Sequence, residues 1–190
     1  MKVLVIQGSP RKDGNTATVM EAVSDALNEK CKCTIETVWV ADEDIGGCIE
    51  CFACRKAAKP PKCKIRDDMT DLYKKIMKAD VTVFATPVFC WGVPAQIKAV
   101  FDRLYACFQF EPDAHDCVLS GKRFGFVVTA GGGKNDGADL CVSMYKRFIE
   151  FSGAVNAGVL QAVLLSEPKE TRANRKLVSR ARAFAGKLVQ

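Results

Sequence analysis

The chain predicts an α/β fold: a doubly wound, five-stranded parallel sheet with helices on both faces. Two observations carry this. Short Val- and Ile-rich runs recur along the 190 residues, each followed by a segment whose apolar residues repeat every three to four positions. No repeat, low-complexity tract or linker interrupts the series. Such alternation marks a parallel sheet, and right-handed crossovers put helices on both of its faces. At this length one domain, residues 1–190, accommodates the whole pattern.

Residues 2–6 form the first strand, a buried apolar run closed by Gly8, Ser9 and Pro10. A loop over residues 9–15 leads to a helix from Thr16 onward, with Val19, Val23, Ala26 and Leu27 on one face. Residues 34–40 alternate as the second strand. Asp67 and Asp68 then offer capping carboxylates to a helix carrying Met69, Leu72, Ile76 and Met77. Residues 81–85 are the third strand, 94–105 a helix, 124–129 the fourth strand, 138–151 a helix and 155–165 the fifth strand. The last segment sets Ala173, Leu177, Ala181, Phe184 and Leu188 on one helical face. Its basic residues, Arg172, Arg175, Lys176, Arg180 and Lys187, read as a solvated surface.

With 48% apolar and 26% charged residues, the composition excludes disordered, collagen-like and mucin-like classes. Residues 81–97 carry no charge, yet Pro87, Gly92 and Pro94 interrupt any membrane-spanning helix there. The apolar start at residues 3–6 is too short for a signal-peptide core, so the expected location is the cytoplasm and no membrane partner is expected. Twenty-eight basic against 22 acidic residues leave a net charge of +6, which favours anionic ligands or acidic partners without singling out nucleic acid. His115 is the only histidine, in a polar loop beside Asp113 and Asp116, and reads as a surface residue. A surface histidine is not expected to serve a catalytic triad, and a single one cannot build a histidine-rich metal site, so most hydrolase and zinc mechanisms fall away. The ten cysteines are too sparse for a disulfide-built scaffold and read as thiols. Four of them, however, crowd into residues 48–63.

A doubly wound sheet binds ligands at the carboxyl ends of its strands. The loop leaving the first strand, Gly8-Ser9-Pro10-Arg11-Lys12-Asp13-Gly14-Asn15-Thr16, delivers the chain to a helix N-terminus there. Unpaired N–H groups and the helix dipole make that end an anion site, and Ser9, Thr16, Arg11 and Lys12 add hydroxyls and charge. A phosphate monoester fits this set. Only Gly8 and Gly14 are present, so the loop is not a dinucleotide GxGxxG, and without GKS or GKT it is no P-loop. A polar turn with a helix cap is the plainer reading of the same residues.

GSPRKDGNT after KVLVI, DDM opening a helix, TPVFCWGVPAQIKAVFDR after the third strand and TAGGG after the fourth break the tie. Together they resemble the flavodoxin-like NAD(P)H-dependent FMN reductases over most of the chain. The likeness is closest to the branch containing the iron-sulfur flavoproteins, whose members carry a compact cysteine motif ahead of the DDM helix. Here that motif reads CIECFACRKAAKPPKC, in an insertion at about residues 46–66.

The resemblance implies strand order 2-1-3-4-5, an FMN cofactor and NAD(P)H as co-substrate. It places Ser9, Arg11, Asn15 and Thr16 on the FMN phosphate. Pro87, Val88, Phe89, Cys90, Trp91 and Gly92 would line the ribityl chain and ring, and Thr129, Gly131 and Gly132 a third loop. Without it, Phe89 and Trp91 read as ordinary core. No catalytic side chain is implied, because the flavin carries the chemistry. Backbone N–H groups near Gly131 to Gly133, with Lys134 as a weaker candidate, would stabilise the reduced flavin. The family also implies a homodimer or homotetramer.

Cys48, Cys51 and Cys54 have the CxxCxxC spacing that lets three thiolates meet one [4Fe-4S] cluster, with Cys63 as a fourth ligand. Arg55, Lys56, Lys59, Lys62, Lys64 and Arg66 could offset cluster charge, and equally could lower the pKa of bare thiols. Eight residues, including Pro60 and Pro61, separate Cys54 from Cys63, a longer gap than in compact cluster motifs. Cluster and free thiols both stay open, with zinc or a disulfide behind them. The leading expectation is an FMN-dependent oxidoreductase reducing a quinone, flavin or similar small acceptor. The alternative is an iron-sulfur flavoprotein taking electrons from ferredoxin through its basic cysteine loop. A scaffold that has lost the flavin is the non-redox reading.

Overall fold

The structure, a computed structural model, describes residues 1–56, 61–111 and 114–190, with backbone alone at residues 56, 110, 111, 114 and 115. Lys59, Pro60 and Asp113 lie outside the described residues, as does the side chain of His115.

Strands β1 (Lys2–Gln7), β2 (Thr34–Trp39) and β3 (Val81–Pro87) alternate with helices α1 (Asn15–Lys30) and α2 (Met69–Lys78). Helix α3 (Ala95–Arg103) runs into a 3-10 turn (Leu104–Cys107) and a hairpin of β4 (Phe108–Glu111) and β5 (Ala114–Cys117). Strand β6 (Arg123–Thr129), helix α4 (Asp139–Ser152), strand β7 (Val155–Ala162) and helices α5 (Pro168–Ala173) and α6 (Arg175–Leu188) complete the order. The main sheet has five parallel strands ordered β2-β1-β3-β6-β7, the 2-1-3-4-5 pattern once the β4–β5 hairpin is set aside.

Buried Val3 and Val5 of β1 pack with α1 and α6, whereas Leu4 and Ile6 pack with α2, α3 and α4. Alternate side chains of one strand thus feed two separate cores, as a sheet covered on both faces requires. Among the described residues, no helix is long and apolar enough to cross a membrane.

Four details depart from the sequence pattern. The β4–β5 hairpin is absent from it, although Phe108, Gln109, Phe110 and Glu111 alternate with the period of a strand. The fifth strand ends at Ala162 rather than residue 165, because Leu164 takes a left-handed φ of 58° and turns the chain back over β6. The final helix is two, since Asn174 Oδ1 accepts the Leu177 N–H at 3.1 Å and starts α6 afresh. Asp68 makes no side-chain cap on α2; its Oδ2 accepts the Asp44 N–H at 2.7 Å instead. Asp67 Oδ1 takes the Met69 N–H at 3.2 Å.

Candidate functional site

Chain order reverses beside β1, which lies between β2 and β3, so a crevice opens at the carboxyl ends of β1 and β3. The chain leaves β1 at Gly8, whose N–H donates to Ala85 O at 2.7 Å. A Cβ on Gly8 would lie 2.9 Å from Cβ of Ile97, so glycine alone lets α3 approach this closely. Ser9 Oγ then accepts the Arg11 N–H at 3.2 Å, which folds the loop into a tight turn.

Gly14 caps α1 without a side-chain acceptor, and the Thr18 N–H bonds back to Gly14 O at 3.0 Å. The N–H groups of Asn15, Thr16 and Ala17 therefore have no intrahelical acceptor at the positive end of a 16-residue helix. Thr16 and Thr129 are 2% and 3% exposed, and their hydroxyls meet at 2.7 Å, joining the first loop to the end of β6. Asn15 is held from behind: its Nδ2 donates to Ser166 O at 2.8 Å and its Oδ1 accepts from Thr171 at 2.7 Å. Its side chain thus braces the loop, leaving its N–H at the helix end. Arg11 is exposed, 4.0 Å from Asp13, the outer limit of an ion pair.

Ser9, Arg11, Asn15, Thr16, Pro87, Val88, Phe89, Thr129 and Gly131 line one cleft of about 150 Å³. Leu165 lines it too, a residue the sequence reading missed. The backbone explains its presence: the Leu164 and Leu165 N–H groups donate to Gly132 O and Ala130 O at 3.0 and 3.1 Å, drawing the end of β7 across the third loop.

Cys90, Trp91, Gly92 and Gly132 lie outside that lining. Phe89 and Gly92 exchange N–H···O bonds of 2.8 and 2.9 Å around a two-residue turn. Both turn residues are left-handed, with φ of 45° at Cys90 and 60° at Trp91, a conformation costing about 1–2 kcal/mol for each residue with a Cβ. Phe89 and Trp91 are 49% and 64% exposed, so the core-packing reading of both is overturned. Trp91 Nε1 donates to Asp136 Oδ1 at 3.0 Å. Gly137, at φ 92°, sits beneath the turn, where a Cβ would come within 2.7 Å of Trp91 Cα. The second and third loops are therefore one interlocked rim, with Gly131 and Lys134 exposed on it.

A second concavity of about 580 Å³ is lined by all four clustered cysteines, Cys48, Cys51, Cys54 and Cys63, together with Arg55, Arg103 and Tyr105. Left-handed Glu50 and Phe52, both at φ 53°, flank Cys51. Arg55 lies across Phe52 and donates from Nε to the Tyr105 hydroxyl at 2.8 Å. Burial pushes the Cys54 thiol up, and the neighbouring Cys63 and Cys48 add to the rise, against the backbone N–H groups of Cys54 and Arg55 that lower it. All ten cysteines are free thiols in this structure. Among the described residues, no three His, Cys, Asp or Glu side chains converge as ligands of one ion would. The four thiols line one cavity, which is the donor set that a thiolate-held cluster takes.

Comparison with known proteins gives a consistent picture. The chain is 30% identical over 164 residues to an iron-sulfur flavoprotein of Methanosarcina thermophila, covering 83% of this chain and 78% of that one. It is 27% identical to an FMN-dependent NADH:quinone oxidoreductase of Pelagibacter ubique, covering 85% and 89%. Its fold superimposes on an FMN-dependent NADH-azoreductase of Bacillus anthracis in complex with FMN, with a TM-score of 0.76, 16% identity and full coverage of both chains. The family model for NADPH-dependent FMN reductases matches residues 1–164, a span that holds the anion-ready helix end, the interlocked rim and the cysteine cavity, and the chain belongs to that family.

Proposed function

We propose that this protein is an FMN-dependent oxidoreductase that takes a hydride from NAD(P)H and reduces a small acceptor such as a quinone or flavin. One observation carries the reading: the open helix end, residues 87–89 at the end of β3 and the third loop meet in one cleft. FMN, when bound, supplies the two-electron chemistry, and no side-chain acid or base is required. The chain's own residues hold and orient it. The N–H groups of Asn15, Thr16 and Ala17, the hydroxyls of Ser9 and Thr16 and the charge of Arg11 receive the phosphate. The backbone of residues 87–92 and the exposed rings of Phe89 and Trp91 would shape the flavin's seat, and N–H groups near Gly131 to Gly133 would stabilise its reduced form. An open rim leaves room for nicotinamide and then for a flat acceptor, and apolar Phe89 and Trp91 suit a second subunit completing the site.

The experiment is anaerobic mixing of the FMN-loaded protein with NADH, NADPH or reduced ferredoxin while following the flavin absorbance. Bleaching by a nicotinamide within one turnover supports the reading. Bleaching by ferredoxin alone transfers the protein to the second reading, an iron-sulfur flavoprotein module with its cluster on Cys48, Cys51, Cys54 and Cys63. That alternative is favoured by the shared cysteine cavity. Four irons and four sulfides per anaerobically purified chain support it, and near-zero iron removes it.

A further inference from the structure

The cysteine cavity is backed by a side chain that the proposed activity leaves unexplained. Arg103, at the end of α3, is 2% exposed. Its Nη1 and Nη2 clamp the two oxygens of Asp67 at 2.6 and 2.8 Å, and Nη1 also reaches Gly46 O at 2.9 Å. Two of its three nitrogens are thereby satisfied. The third, Nε, is buried and has no hydrogen-bond partner among the described residues. Arg103 also lines the cavity that holds the four cysteines, and Cys63 is close enough for its charge to act on the guanidinium. Burial is the largest single influence and opposes the positive charge, but the hydrogen bonds Arg103 donates to Asp67, together with the charges of Cys63, Asp67 and Tyr73, outweigh it, so Arg103 stays cationic.

A buried N–H donor on a fixed cation is left unpaired only at a cost of about 1–3 kcal/mol, so such an atom beside a cavity marks the place of an absent acceptor. The acceptor's chemistry follows from the walls. The walls carry the four cysteines, which ligate as thiolates, and two carboxylates, of which Asp102 is paired with Lys98 Nζ at 2.6 Å and Glu50 is exposed, while buried Asp67 is already engaged by the other two nitrogens.

Resting on the cluster reading above, we propose that Arg103 is a positioning residue for the cysteine-held group, its Nε–H donating to a thiolate or sulfide sulfur and making reduction easier. A donor and a fixed cation both favour the more negative, reduced state of a cluster, and outer-shell hydrogen bonds to sulfur set its potential. Asp67 holds the fork through both Nη atoms and is itself anchored at the start of α2, where its Oδ1 accepts the Met69 N–H.

The test uses full-length protein reconstituted anaerobically with ferrous iron and sulfide. Wild type and Arg103→Lys, which keeps the charge and loses Nε, are compared by redox titration of the cluster's electron paramagnetic resonance signal. The expected result is equal iron content with the added electron bound about tenfold more weakly in R103K, or about 59 mV lower for a one-electron couple. Equal iron and an unchanged potential overturn the inference. Should R103K fail to fold, pulsed resonance on wild type and Arg55→Lys, both carrying 15N-arginine, replaces it. A nitrogen coupling to the reduced cluster that persists in R55K supports the role of Arg103, and no coupling in either protein overturns it. Wild type that takes up no iron overturns the cluster reading itself, and this inference with it.

Discussion

Replacing Thr16 by valine removes a hydroxyl from the junction of the first and third loops while keeping the side chain's shape. In the folded protein the Thr16 and Thr129 hydroxyls lie 2.7 Å apart, and both residues are almost wholly buried. T16V leaves the Thr129 hydroxyl without its partner, which costs about 1–3 kcal/mol. For a chain of this size that lowers the melting point by about 2–4 °C for each kcal/mol. If Thr16 also donates to the FMN phosphate, a charge-assisted bond of about 1.5–3 kcal/mol is lost as well, weakening FMN binding about ten- to a hundredfold. The double variant T16V/T129V separates the two effects. Replacing both partners of a buried bond by apolar isosteres is nearly neutral, so its apo-protein melting point should return towards wild type while FMN affinity stays low. Calorimetry of the apo-protein and fluorescence titration with FMN read the two quantities. A double variant binding FMN as tightly as wild type would refute the placement of the phosphate against Thr16.

Three further outcomes are expected. Gly137→Ala forces a Cβ into Trp91 Cα at a position with φ 92°, so the 89–92 turn is displaced, tryptophan emission shifts and FMN affinity falls; a crystal structure of the variant with an unmoved turn would count against the interlocked rim. Asp136→Asn removes a carboxylate crowded against Gly132 and should raise the two-electron potential of bound FMN by roughly 10–30 mV, the span of about 0.5–1.4 kcal/mol; an unchanged or lowered potential speaks against a flavin edge at Gly132. The hydrogen bond from Arg103 holds the Asp67 carboxyl below the usual carboxylate range, with burial opposing it. Its stabilisation is therefore full at neutral pH, above the unfolded value of about 4, and is lost as pH falls through the lower folded value. Asp67→Asn should cost about 3 kcal/mol in denaturant unfolding at pH 7, and the difference from wild type should shrink on acidification below pH 4; a pH-independent difference would refute the pairing.

The strands and most helices were legible because the central strands β1, β3 and β6 are buried on both faces and each helix on one, so apolar periodicity registers directly in residues such as Val3, Val83 and Phe126. The open helix end proposed to hold the phosphate was legible for a similar reason: a strand end, a polar turn and a helix start follow one another in the chain. What sequence spacing could not carry was contact between distant segments. Leu165 enters the cleft through backbone hydrogen bonds that it and Leu164 make to the third loop after β6, Asn15 is braced by Thr171, and Asp67 serves Arg103, 36 residues away, rather than only its own helix. Phe89 and Trp91 illustrate the converse. Aromatic rings usually mean core, yet a left-handed turn at Cys90 and Trp91 keeps both at the surface, and no local composition announces that turn.

Quantitative uptake of FMN by the apo-protein, followed by equilibrium dialysis and visible absorbance, bears most directly on the cleft at the ends of β1, β3 and β6. One FMN per chain, bleached by a reduced nicotinamide and displaced more readily in the Arg11→Ala variant, is the predicted result. A chain that stays colourless in excess FMN, or that binds riboflavin as tightly as its phosphate, would contradict it.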